Sequence, residues 1–210
     1  LKNEWNTVLI GRDAEKGMQV EQQLGETYSP AQVAFIQADI SKSSEVEHVK
    51  QITLNKFKTV DAIINNAGIV IHGEVHETSE EDWDKIFNVN VKGLYNVTNV
   101  VLPKMLVKQS GVIINMASIA GLISGGGGAA YTASKHAVIG YTKQLSYDYC
   151  KEGIRVNAIA PGAIQTPMNA VDFEGTAEMA KWVANETPAK RWAQPEEVAN
   201  ATLFLASKAS

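Results

Sequence analysis

Tyr131 and Lys135, in the run Tyr131-Thr132-Ala133-Ser134-Lys135, are two residues whose types and spacing could move a proton. On a helix, residues four apart share a face. A tyrosine hydroxyl is a poor acid or base near neutrality, because its ordinary pKa is about 10. A nearby ammonium favours the phenolate and lowers that pKa. Such a pair can be a general acid in one direction and a general base in the other, as interconversion of a ketone and an alcohol requires. Taken alone, the pair reads more readily as a Tyr and a Lys on an amphipathic helix, since short motifs are weak signals.

The elements that must position the pair follow from hydrophobic runs and punctuation. Strands are predicted at Thr7–Ile10, Val33–Gln37, Val60–Ile64, Val112–Met116 and Ile154–Ile159. Helices are predicted over Ala14–Leu24, from near Ser44 and Glu45, and from Ser79 towards Pro103. Further helices are predicted over Tyr131–Lys151, Thr176–Asn185 and Glu196–Leu205. Ser79 with Asp82 three residues on is an N-terminal cap signal. Strands apolar on both faces and separated by helices indicate a Rossmann-like, doubly wound α/β fold, a parallel sheet with helices on both faces. Ligands of such sheets bind beyond the carboxyl ends of the strands. The residues there are Gly11-Arg12-Asp13, Asp39-Ile40, Asn65-Asn66-Ala67-Gly68, Ala117-Ser118 and Pro161-Gly162.

This context raises the standing of Tyr131 and Lys135. Ser118 lies thirteen residues before Tyr131, just after a predicted strand. Asn90 sits in Asn88-Val89-Asn90-Val91-Lys92-Gly93, and Pro161-Gly162-Ala163-Ile164-Gln165-Thr166 follows another strand. Together these elements resemble the short-chain dehydrogenase/reductase family, from about residue 7 to about residue 205. The whole pattern looks most like bacterial 3-oxoacyl-[acyl-carrier-protein] reductases and related alcohol and sugar dehydrogenases. The resemblance implies Tyr131 as proton donor to a carbonyl oxygen and Ser118 as its hydrogen-bonding partner. It implies that Lys135 binds nicotinamide ribose hydroxyls and lowers the Tyr131 pKa, and that Asn90 holds a water in a relay reaching Lys135. Read without it, Ser118 is a strand-end cap and Asn90 a polar helix residue.

Cofactor contacts are implied in the same way. Asp39 and Ile40 would lie along the adenine, with the Asp39 carboxylate accepting from its amino group. Asn66, Ala67 and Gly68 would pass the adenosine ribose, and Ile164 and Thr166 would meet the nicotinamide carboxamide after Pro161 and Gly162. An acidic residue ending the first strand here would bind a 2′-hydroxyl and favour NAD(H). Gly11 stands there instead, followed by Arg12, whose guanidinium suits a 2′-phosphate. NADP(H) is therefore expected over NAD(H), unless a one-residue shift brings Asp13 into that place.

The family's glycine-rich phosphate loop is not found ahead of this segment, and Leu1-Lys2-Asn3 reads as the tail of a helix. One incomplete dinucleotide-binding domain over 1–210 is expected, with apolar strand edges exposed. The resemblance implies a substrate lid over 168–194, whose Phe173, Met179, Trp182 and Trp192 suit an apolar wall, a core or a subunit contact equally. Gly125–Gly128 lacks a phosphate-loop context and is read as a loop beside the substrate that uses glycine's wider φ range.

The remaining composition is permissive. A net charge of -4 implies no attraction to nucleic acid. The one cysteine, Cys150, fits a reducing cytoplasm. No apolar run approaches bilayer length, so no membrane partner is expected. No metal is expected: His72 and His76, near Glu74 and Glu77, read as a solvated loop. Carrier-protein reductases place basic residues where Gln109 and Glu152 stand here, with Lys108 and Lys151 adjacent. A small ketone or alcohol, or an acyl thioester, is the expected substrate, and a homotetramer the expected assembly. A catalytically silent binding protein on the same fold is the competing reading.

Overall fold

The computed structural model describes residues 5–210, so Leu1-Lys2-Asn3 lie outside the described residues. Strand β1 (Thr7–Gly11) runs through helix α1 (Ala14–Thr27) to β2 (Val33–Gln37). Then come α2 (Ser43–Phe57), β3 (Ala62–Asn65), α3 (Glu80–Phe87), α4 (Leu94–Lys108) and β4 (Gly111–Met116). Helix α5 (Ala129–Tyr149), β5 (Ile154–Ile159), α6 (Glu178–Glu186) and α7 (Pro195–Ala206) complete the order. All strand pairs are parallel, as the helical crossovers require.

Burial on both strand faces explains the apolar runs. In β4 the neighbours Ile113 and Ile114 are both fully buried although they point to opposite faces. Ile113 packs with Val101, Leu102 and Met105 of α4 and Leu145 of α5. Helix α7 packs against β4 and β5 as well. In β2, Ile36 clusters with Val49 of α2, while the adjacent Phe35 ring lies over Gly17 of α1. A Cβ on Gly17 would fall 2.1 Å from that ring, so only glycine lets α1 come so close.

The single sheet expected from sequence runs instead as two ladders, β1-β2 and β3-β4-β5. β1 and β3 each have a ladder partner on one side only, and Ile10 and Ile64 on them are 36% and 42% exposed. The helix expected from Ser79 to Pro103 also differs. Ser79 does cap it, accepting from the Asp82 amide at 3.0 Å. A π-helical turn over Asn88–Gly93 then interrupts it, and α4 continues through Pro103 to Lys108. Interior proline costs about 3 kcal/mol; here the burial of Val101, Leu102 and Met105 around it offsets that cost.

Gly153 ends the run from α5 at φ +74 and turns the chain into β5. A Cβ there would sit 2.2 Å from the Gln109 carbonyl oxygen. Gly153→Ala is expected to lose about 2–4 kcal/mol in chemical denaturation, from left-handed backbone strain plus the clash. An unchanged midpoint would show that this turn relaxes freely.

Candidate active site

Helix α5 and the end of β4 bring the proposed chemical groups together. After Met116 the chain leaves the sheet and Ser118 caps a short turn, its Oγ accepting from the Ala120 amide at 3.2 Å. Ser118 is thus a strand-end cap. The Ile119 amide donates to Pro161 O at 3.0 Å, tying this turn to the loop after β5. Across it, the first turns of α5 present Tyr131. Gly127 and Gly128 have φ of +97 and +84, and a Cβ on Gly127 would meet the Tyr131 ring at 2.4 Å. The glycine run therefore wraps the tyrosine closely, as its permitted φ range allows.

Burial holds the Tyr131 hydroxyl above its ordinary pKa, outweighing the hydrogen bond with Ser118 that pulls it down. Burial also brings Lys135 down to about 8. The Lys135 ammonium lies 5.5 Å from the Tyr131 ring centroid and donates to Met116 O at 2.8 Å. The expected lowering of Tyr131 by Lys135 is therefore not realised in this state. The ammonium is engaged on a backbone carbonyl, and desolvation of the phenol dominates.

Asn90 is 2% exposed and lies in the π-helical turn. Its Oδ1 accepts from the Ile69 amide at 2.8 Å, and its Nδ2 donates to Ile69 O at 2.9 Å and Ser134 Oγ at 3.1 Å. Ser134 in turn donates to Tyr131 O at 2.7 Å. The Asn90 amide is thus engaged in clamping the strand-end loop to α5. Its nitrogen donates both hydrogens to protein partners, and its oxygen accepts one bond. Ser134 escaped the sequence reading, although a serine three residues after Tyr131 is well placed to bond back to that carbonyl.

A cleft of about 170 Å³ opens at the carboxyl ends of β1, β2 and β3. Gly11, Arg12, Asp39, Ile40, Ala67 and Gly68, all singled out in the sequence, line it. Ala38, Ile69 and Val89 add apolar wall that no motif signalled. Gly68 brings the cleft beside Asn90 and Lys135: a Cβ there would stand 3.4 Å from Asn90 Oδ1 and 3.6 Å from Lys135 Nζ. Asn66 is exposed beside the cleft, and its amide bonds back to Ile64 O at 3.0 Å. Pro161, Gly162, Ile164 and Thr166 do not line it. Ile164 bridges to Ala193, and Thr166 Oγ1 donates to Asn169 Oδ1 at 2.7 Å.

The polar groups of the cleft suit one end of a nucleotide. β1 ends on Gly11, and Asp13 is spent as the cap of α1, accepting from the Lys16 amide at 3.1 Å. Asp13 is not among the residues that line the cleft. Gln37 Nε2 donates to Arg12 O at 2.9 Å and fixes the backbone of that turn. The Asp39 Oδ1 accepts from both the amide and hydroxyl of Ser41, at 3.0 and 2.7 Å. Those bonds, with Arg12 and Lys42 nearby, hold the Asp39 carboxyl below its usual value against the opposing effect of burial. A cation, an ionised carboxylate and apolar walls around a glycine floor fit the adenosine portion of a dinucleotide.

In the 168–194 segment, Phe173 packs on Trp192 at 4.9 Å between centroids, and Trp192 Nε1 donates to Ala180 O at 2.8 Å. Those two aromatics form the segment's own small core. Met179 and Trp182 are exposed. Among the described residues, no helix is long and apolar enough to cross a membrane.

The family described as enoyl-(acyl carrier protein) reductase matches residues 2–210. The chain is 38% identical over 182 residues to the 3-oxoacyl-[acyl-carrier-protein] reductase FabG of Thermotoga maritima, covering 86% of this chain and 72% of that one. It is 38% identical over 205 residues to the reductase of the same name from Chlamydia trachomatis, covering 98% and 81%. It is also 38% identical over 179 residues to 2-(R)-hydroxypropyl-CoM dehydrogenase of Xanthobacter autotrophicus, covering 84% and 71%. Among solved structures, ElxO with NADP bound superposes with a TM-score of 0.91 at 28% identity, covering 99% of this chain and 83% of that one. A gluconate 5-dehydrogenase from Burkholderia cenocepacia in complex with NADP and tartrate gives 0.90 at 29%, covering 98% and 79%.

Proposed function

Because the chain belongs to the short-chain dehydrogenase/reductase family of oxidoreductases, we propose that it interconverts a ketone and a secondary alcohol with NADP(H), using Tyr131 as proton donor and acceptor. The observation that carries this reading is that Lys135, one helical turn from Tyr131, donates to Met116 O two residues before Ser118 and stands by Gly68 at the cleft. A bound nicotinamide supplies the hydride, and the protein orients and polarises. Ser118 holds the carbonyl oxygen and aims it; Tyr131 delivers its proton there in reduction and takes it back in oxidation. Lys135 supplies positive charge beside the phenol and donors towards ribose hydroxyls. Asn90 and Ser134 keep the strand-end loop and α5 in contact.

Arg12 is the basis for NADP(H). Exposed at the cleft rim, with Gln37 fixing its backbone and Asp13 occupied elsewhere, it presents the one cation among the cleft-lining residues. Arg12→Glu is expected to weaken NADPH binding about 10- to 100-fold, the worth of a charge-assisted contact, and to weaken NADH far less. A parent protein that already favours NADH would overturn this preference.

The substrate is a ketone with an apolar flank, and a 3-oxoacyl thioester, the substrate in the names of the FabG relatives, fits that class. Leu122 and Ile123 follow Ser118, and Met168 and Val171 follow Thr166; all four are exposed apolar side chains on the two loops beside the site. Residues 168–194 act as the lid over it. Lys108, the basic neighbour of Gln109, is paired with Asp61. A free thioester is therefore favoured over one delivered on an acidic carrier protein. A homotetramer through α4 and α5 goes with this reading, since Tyr95, Val107 and Tyr147 on them are exposed. Loss of nicotinamide absorbance across a panel of ketones and thioesters tests the activity. Its absence for every substrate, in a folded protein that binds NADPH, would favour the silent binding protein.

A further inference from the structure

Four polar side chains are buried where the motifs assign no chemistry. Asn65 is 9%, Thr98 0%, Asn115 0% and Thr142 5% exposed. They form one hydrogen-bonded chain across the layer. Asn65 Nδ2 donates to Thr98 Oγ1 at 3.2 Å and to Asn115 Oδ1 at 2.8 Å. Asn115 Nδ2 donates to Thr142 Oγ1 at 2.9 Å, and Thr142 donates to Val138 O at 2.7 Å. The chain thus links α4, β3, β4 and α5, with Asn65 and Asn115 paired directly across the ladder.

An asparagine inside Gly111-Val112-Ile113-Ile114-Asn115-Met116 needs a reason, because an apolar residue there would escape the cost of burying an amide. Its neighbours in the chain supply one. Thr142 lies seven residues after Lys135, two turns along the same buried face of α5. The end of β4 therefore meets α5 through two successive hydrogen bonds, Asn115 with Thr142 and Met116 O with Lys135, and Ser118 follows two residues on. Apolar contacts such as Val138 with Ala117 have no preferred direction and tolerate sliding. A hydrogen bond weakens within about half an ångström of its optimum and so fixes the helix along its axis.

We propose that the Asn115–Thr142 hydrogen bond, extended through Asn65 to Thr98, is a register lock that positions Tyr131 and Lys135 against Ser118. These are positioning residues, and the role rests on the chemistry assigned to Tyr131 above. Thr142→Val removes the hydroxyl with little change of shape. It is expected to lower kcat about tenfold, because sub-ångström misplacement of reacting groups is expensive, while NADPH binding by fluorescence stays within about twofold. Thr142→Ser, which keeps the hydroxyl, regains most of the rate. Should Thr142→Val fail to fold, Thr142→Ala carries the same comparison, with room for a water at Asn115.

A second readout does not depend on turnover. The absorbance titration of each protein minus that of its Tyr131→Phe counterpart isolates the Tyr131 phenol. The lock predicts a displacement of about half a pH unit or more in Thr142→Val, since a moved hydroxyl loses part of its Ser118 contact. It also predicts that Thr142→Ser restores the parent curve. An unshifted titration and an unchanged kcat, even with a lower Tm, would overturn the lock and leave Asn115 and Thr142 as ordinary structural residues. A shifted titration in a protein whose parent turns over no ketone would count against the assigned chemistry and not against the lock.

Discussion

Tyr131→Phe is expected to lower kcat about 10³-fold while binding NADPH as the parent does, within the range for removing a positioned general acid. The substitution takes away one oxygen and keeps the ring that Gly127 approaches so closely. It removes a hydroxyl whose pKa burial already raises, so the folded protein loses no ionised group near neutrality. Stability should therefore hold within about 1 kcal/mol, the worth of one neutral hydrogen bond to Ser118. In the parent the phenol must be protonated for reduction and ionised for oxidation. Reduction then falls as pH rises through the Tyr131 pKa of the working complex, and oxidation falls as pH drops through it. Retention of more than a tenth of the parent rate in Tyr131→Phe would remove the tyrosine from the reaction.

Lys135→Met is expected to be the second severe loss, and it should differ in kind. The thioether keeps the apolar stem and drops the ammonium. Both kcat and NADPH affinity are predicted to fall, with kcat/KM down about 10³-fold or more, because one group serves proton transfer and ribose binding together. Stability should move the other way. Burial brings Lys135 down to about 8 from 10.5 in the unfolded chain. The folded state then holds fewer protons than the unfolded state between those two values, so parent stability rises with pH across that window. Below about pH 8 the fold bears the cost of an almost buried cation. Lys135→Met removes that cost, so at pH 7 its Tm should equal or exceed the parent's, measured by calorimetry. A variant that loses stability along with activity would show Lys135 to be chiefly structural, through its bond to Met116 O.

The parts of the fold legible in the sequence were those set by period and punctuation. β5 runs over Ile154–Ile159 as its apolar run indicates, and Ser79 caps α3. The cleft gathers Gly11, Arg12, Asp39, Ile40, Ala67 and Gly68 because all end or follow strands on one edge of a parallel arrangement. Less legible was what depends on packing. The π-helical turn at Asn88–Gly93 has no local signature; it is where Asn90 reaches Ile69 and where Gly93 lies under Ile40. Helix α4 passes Pro103 because its buried neighbours hold it, which no propensity encodes. Spacing does not set the electrostatics of Tyr131, where burial acts first. Four residues of separation puts a lysine on the same face, but where its ammonium points is decided by Met116 O. The strand pattern does not signal a role for Asn115; its bonds with Asn65 and Thr142 appear only in the packed structure.

The most direct measurement is label transfer. The protein is incubated with an apolar-flanked ketone and NADPH carrying deuterium on the transferable face of the nicotinamide, and the product is weighed by mass spectrometry. The account predicts one deuterium on the carbinol carbon, formed by the parent and almost absent with Tyr131→Phe. Alcohol formed without deuterium, or formed equally by Tyr131→Phe, would contradict it.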